Sequence, residues 1–206
     1  MPNLILIKSA SSESFVALYA DGKLNVETGT SDNLILCLDS LIRQFPEAIR
    51  NVDAISVVTG PGSFTGIRVG IAIAKGIALA LQKKIIPVTS FQVALNRIEN
   101  PQPLRKYCVL LPAKLPEYYY GIIQDGKELA RGVVNALEVD SIIGREIIAV
   151  GGEELLTDKS VRPAMSKSEF DSMLELSIKY FEEGKVYPTE NIEPLYIKEF
   201  AVKSSV

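Results

Sequence analysis

The chain repeats itself at long range. An apolar run, an Asp-Gly pair, a lysine and a second run occur at Ser14–Leu24 and again at Tyr118–Leu129, with Asp21 and Asp125 lying 104 residues apart. Asp-Gly between two such runs signals a two-residue hairpin, because both positions must tolerate positive φ. The neighbours keep the same offset. Leu4–Lys8 maps onto Cys108–Pro112, and Val57-Val58-Thr59-Gly60-Pro61-Gly62 finds a looser echo in Ile148-Ala149-Val150-Gly151-Gly152-Glu153. Three features in one order predict a duplicated α/β unit: strand, hairpin, strand, glycine turn, helix. The expected lobes are residues 1–100 and 105–206. Asn100-Pro101-Gln102-Pro103-Leu104-Arg105-Lys106, with two prolines, reads as the extended connector.

At 206 residues and 47% hydrophobic, the chain can bury a proper core. Its formal net charge of −3 comes without a basic block, so unaided grip on a nucleic-acid backbone is not expected. There is no histidine, which removes imidazole as base, triad member or metal ligand. Cys37 and Cys108 sit in apolar surroundings and read as buried thiols, with neither zinc spacing nor a disulfide framework. The start, Met1–Lys8, lacks a charged signal-peptide region. The longest apolar stretch, Val69–Leu81, is broken by Lys75 and falls short of the ~20 residues of a membrane span. A cytoplasmic chain, free of membrane, is the expectation.

The densest motif is Gly60-Pro61-Gly62-Ser63-Phe64-Thr65-Gly66-Ile67-Arg68-Val69-Gly70. It follows a buried-strand pattern, Ala54–Thr59, and opens a helix pattern running to Leu81. Ser63 or Thr65 can cap that helix. No Gly-Lys-Ser/Thr follows, so it is not a P-loop, and Gly66 comes one residue late for a dinucleotide fingerprint. The chemistry alone leaves a tight structural turn and a ligand loop both open.

As a string of residues, the motif together with Ala74-Lys75-Gly76 and the later Glu193-Pro194-Leu195-Tyr196-Ile197-Lys198 resembles the TsaB (YeaZ) family. These are bacterial subunits of the machinery that makes threonylcarbamoyladenosine in tRNA. The resemblance implies a duplicated actin-like or ribonuclease H-like α/β fold, with mixed sheets flanked by helices. It also implies a non-catalytic subunit that docks to a catalytic paralogue, TsaD, works with an ATPase, TsaE, and forms a homodimer when alone. ATP or ADP would sit in a composite site at their junction, near Gly60, Pro61, Gly62, Ser63, Phe64, Thr65, Gly66 and Arg68; this chain alone would hold no cofactor.

Enzymes similar in fold place a carboxylate at the end of the first strand of each half to hold a metal–nucleotide. Here those places read Ile7-Lys8-Ser9-Ala10 and Leu111-Pro112-Ala113-Lys114, with lysines in or near them and no acid. The catalytic paralogue's metal-binding histidines are missing as well. Neither catalytic residues nor a metal site are expected, although Lys8 could still meet a phosphate. The alternative is a small ATPase or kinase with unusual metal ligation.

Helix spacing supplies the interface expectation. Gly66, Gly70, Ala74 and Ala78 recur every four residues, and Ala72, Gly76 and Ala80 form a second small row. Either a partner helix or the chain's own sheet could approach them. The preceding helix pattern, Asp32 to Phe45, is apolar around much of its circumference, which favours a protein partner. Leu34, Cys37, Leu38, Leu41, Gly66, Gly70, Ala74, Lys75 and Ala78 are the expected contacts. A bulky residue at Gly70 or Ala74 should then weaken association and leave the fold intact. Tyr118-Tyr119-Tyr120 alternates across a strand, and Glu153-Glu154 suits a helix start better than a metal site.

Overall fold

Two β-sheets with one strand order organise the computed structural model, which describes residues 1–99, 101–143, 147–151 and 165–197. In the first, β1 (Leu4–Lys8) lies at the centre, antiparallel to β2 (Ser14–Ala20) and parallel to β4 (Ala54–Val58); β3 (Lys23–Gly29) and β5 (Lys84–Val88) are the outer strands. The order is β3-β2-β1-β4-β5. Among the described residues the second sheet repeats its first four positions, as β8 (Lys127–Asn135), β7 (Glu117–Gln124), β6 (Lys106–Pro112) and β9 (Ile147–Val150). This is the duplicated actin-like arrangement the repeat predicts. Both hairpins turn through Asp-Gly with positive φ at each residue, 52° and 76° at Asp21-Gly22, 49° and 74° at Asp125-Gly126. Paired positive φ is the turn that matches strand twist, and it accounts for the repeated dipeptide.

Helices α1 (Leu34–Gln44) and α3 (Phe64–Leu81) cover one face of the first sheet. A short helix, α2 (Pro46–Arg50), leads from α1 to β4. Every residue of β1, β2 and β4 is buried, as a sheet covered on both faces requires. The 3₁₀ turn Ser31–Asn33 precedes α1, so the helix begins two residues later than the apolar pattern suggests.

Helix packing crosses the expected split at residues 100 and 105. Helix α4 (Ser90–Asn96), from the first half of the chain, packs on the second sheet, where Phe91 and Ile98 bury against Tyr107, Val109 and Ile123. Helix α6 (Glu169–Glu182), from the second half, packs on the first sheet through Met173, Phe170 and Leu174. The two halves exchange helices, and α4 also packs against α6. The physical reason is area: each sheet has an apolar face that the described residues of its own half leave bare. A short helix, α5 (Val139–Ile143), covers the other face of the second sheet.

Thr89 caps α4: its Oγ1 accepts from Gln92 N at 3.1 Å while Gln92 Oε1 accepts from Thr89 N at 2.9 Å. Gly184, with φ of 71°, follows the end of α6 as its left-handed cap. Residues 192–197 carry no helix or strand. Glu153 and Glu154 lie outside the described residues.

Candidate functional site

The carboxyl ends of β1 and β6 face a cleft of about 790 Å³ between the lobes. Its walls come from Lys8, Ala10, Ser11 and Ser12 after β1, from Pro61 to Phe64, from Ser90 on α4, and from Leu111–Lys114 and Tyr119 of the second lobe. In open α/β sheets ligands sit at the carboxyl ends of the strands, so this is the place to look for chemistry.

Lys8 closes the floor. Its ammonium donates to Glu169 Oε2 at 2.6 Å, Ser11 Oγ at 2.7 Å and the Glu13 carbonyl at 3.2 Å. An ammonium has three donors, and all three are used. The Lys8 side chain is 7% exposed, and Phe15 lies beneath it with its ring centroid 6.0 Å from Nζ. Phe15 in turn meets Phe170 edge-on at 4.7 Å. Lys8 is therefore committed within the chain and is not held out toward a phosphate. No local pattern marks Glu169 as its partner, since it stands 161 positions away at the first turn of α6.

A divalent cation does not fit this floor. Hard cations need several oxygen ligands free of competing positive charge. Glu169 is the carboxylate among the lining residues, and it is bound to Lys8; Arg97 Nη1 lies 4.0 Å from its other oxygen. Among the described residues no cluster of three or more Cys, Asp or Glu could hold a metal. Nor do the cysteines offer a nucleophile. Burial raises the Cys37 thiol above its ordinary range, with Glu27 adding to the effect, and burial pushes Cys108 up to about 12.

The glycine motif divides between two tasks. Pro61, Gly62, Ser63 and Phe64 line the cleft, whereas Gly60, Thr65, Gly66 and Arg68 do not. Gly62 has φ of 157°, and a Cβ there would run into the Ala10 carbonyl, which accepts from Ser63 N at 2.7 Å. Ser63 caps α3 by accepting from Gly66 N at 3.2 Å. A Cβ at Gly66 would strike the Ser9 carbonyl, and Ser9 Oγ donates to Gly66 O at 2.6 Å. The loop is thus tightly fitted to the Ser9-Ala10 turn.

Arg68 is engaged elsewhere. Its guanidinium stacks 3.7 Å from the Phe64 ring centroid and donates to Tyr196 Oη at 2.7 Å. Leu195 N donates to Thr59 O at 2.8 Å, so the tail clamps the motif from behind. Leu195 and Tyr196 are thus packed with the glycine motif as one unit.

The interface expectation needs correcting. Leu34, Leu38, Leu41, Gly66, Gly70, Ala74 and Ala78 all face the chain's own sheet and are buried, and Cys37 is nearly so. The first small row lets α3 lie close against Ser9 and Ile7, and Gly70 abuts the Ser9 hydroxyl. A bulky residue at Gly70 or Ala74 would strike the fold before any partner. The second row is the outward one: Ala72, Gly76 and Ala80 are exposed, and a Cβ on Gly76 would meet nothing within 4 Å. Leu79 on the same helix is 66% exposed, as are Ile35 at 55% and Leu36 at 67% on α1, while Lys75 is half-buried. By length and composition α3 could cross a membrane, but a third of it is buried within this fold.

Fold and cleft define a two-lobed α/β protein of actin-like fold whose cleft floor holds a lysine–glutamate pair. The family model for TsaD, tRNA N6-adenosine threonylcarbamoyltransferase, matches residues 26–168. The Escherichia coli protein named tRNA threonylcarbamoyladenosine biosynthesis protein TsaB is 22% identical over 95% of this chain and 94% of its own length. A tRNA N6-adenosine threonylcarbamoyltransferase from Thermosipho africanus is 30% identical over 51% of this chain and 39% of that protein. The solved structure of YeaZ from Pseudomonas aeruginosa superposes with a TM-score of 0.71 at 22% identity, covering 95% of this chain and all of that one. The chain belongs to the TsaD-type family and, within it, to the TsaB (YeaZ) group.

Proposed function

We propose that this chain is a non-catalytic partner subunit in the formation of threonylcarbamoyladenosine in tRNA, working in the cytoplasm. The observation that carries the reading is the Lys8–Glu169 pair, which occupies the position where related folds do metal-assisted chemistry. The names of its relatives supply the pathway. A TsaD-like paralogue is the expected partner and would dock on the outer face of α1 and α3, where Leu36, Leu79 and the Gly76 row leave apolar surface uncovered. A second copy of this chain would take that place in isolation. A TsaE-like ATPase and bound ATP or ADP complete the reading, the nucleotide lying at the junction near Pro61–Phe64.

Co-expression with the cognate threonylcarbamoyltransferase tests it. The expected result is a stable complex, weakened at least tenfold by Leu36→Asp or Gly76→Leu while the lone chain keeps a cooperative melt. Loss of no affinity in either variant would move the interface elsewhere. Steady phosphate release from Mg-ATP by the isolated chain would instead favour a small ATPase or kinase.

A further inference from the structure

The floor of the cleft has the makings of a cation cage. Ser11 Oγ donates its proton to Glu13 O at 2.9 Å, which turns its lone pairs toward Lys8. The Glu13 carbonyl and Glu169 Oε2 point at the same spot. A hydroxyl, a carbonyl and a carboxylate converging on one positive centre make an oxygen set of the kind hard cations use. The centre here is an ammonium on a side chain rooted at the end of the central strand. We propose that Lys8 is a tethered cation that takes the place of a metal ion, so that this fold needs none, and that removing its charge reopens a divalent-cation site on Glu169, Glu13 and Ser11.

The arrangement argues against a chance surface pair. Lys8 is buried against Phe15, and each of its three donors has a partner. A buried charge must be neutralised locally, so the three oxygens cannot be left without a cation at no cost. Water or a diffusible ion has to replace the ammonium if it is removed. Lys8→Asp would add a second carboxylate to the cage and favour a divalent ion over water. The inference deepens the non-catalytic part of the proposed function and is silent on partner docking, so its failure is read separately from a failed pull-down.

The test uses the whole chain as wild type, Lys8→Asp and Lys8→Ala, with Mg²⁺, Mn²⁺ or Ca²⁺ added as chloride salts. Calorimetry and thermal melts provide the readouts. The wild type should show neither saturable heat nor a change in melting temperature. Lys8→Asp should bind a divalent ion and gain about 3–5 °C at ten times its dissociation constant. Lys8→Ala should respond in the same direction and less strongly, and adding Glu169→Gln to Lys8→Asp should remove most of the response. Should Lys8→Asp be unfolded in chelator, recovery of its cooperative melt by a divalent ion supports the proposal equally. A wild type stabilised by these ions through Glu169 overturns it. So does a Lys8→Asp chain, folded or not, that no divalent ion affects.

Discussion

The two lobes share a strand order but not a degree of burial. In the first, β1, β2 and β4 are wholly buried between α1 and α3 on one side and α6 on the other. In the second, β8 opens with five exposed residues, and the sheet is served by the short α5 and by α4, borrowed from the other half. Among the described residues, the duplicated unit has therefore become a thick lobe and a thin one. The thick lobe holds the motif, the clamp and the outward apolar face. The thin lobe supplies one wall of the cleft and depends on its neighbour for cover.

The largest test of this asymmetry is at the tight seam of the first lobe. Gly66→Val puts side-chain carbon against the Ser9 carbonyl and should cost about 3 kcal/mol or more, seen as a lost or much lowered cooperative melt. Tolerance of valine there would break the account of α3 as a helix pressed on its own sheet.

Phe91→Ala comes next, at about 3–5 kcal/mol, because its fully buried ring lies against Gly121 in the thin lobe. Hydrogen exchange should show β6 and β7 losing protection before β1 and β4. Equal loss in both sheets would mean that the lobes unfold as one.

Glu169→Ala leaves the Lys8 ammonium buried without its carboxylate. The expected cost is about 2–4 kcal/mol, below that of a fully buried pair because the Glu169 side chain is 34% exposed. Denaturant titration measures it, and a variant within about 0.5 kcal/mol of wild type would show the pair to be incidental.

The smallest effect concerns the dry centre of the thin lobe. Burial raises the Cys108 thiol to about 12, so between the ordinary thiol value of about 8.5 and 12 the folded state binds more protons than the unfolded one. That contribution to stability is complete below the lower value and declines as pH rises toward the upper. Alkaline melts of wild type should fall more steeply over this window than those of Cys108→Ala. Parallel curves would mean that solvent reaches β6.

Much of the architecture was legible in local pattern. The Asp-Gly hairpins, the strand runs and the Ser63 cap follow from short-range rules that hold wherever the segment ends up. The missing acids at the ends of β1 and β6 were legible too. Which row on α3 faces inward is not legible, because a helix apolar on most sides has no period that distinguishes sheet from solvent. Nor does anything near Arg68 in the chain announce its partner Tyr196, 128 positions away.

What the residue order settled unaided was a pair of like α/β units, their turns, and a lysine where chemistry would need an acid. Three-dimensional packing alone decided which helix covers which sheet, which side of α3 meets water, and that Glu169 and Lys8 are partners. The first group depends on φ, ψ and periodicity within a few residues. The second depends on which apolar face remains bare after each half has folded, and on charges that only a closed chain brings within 2.6 Å.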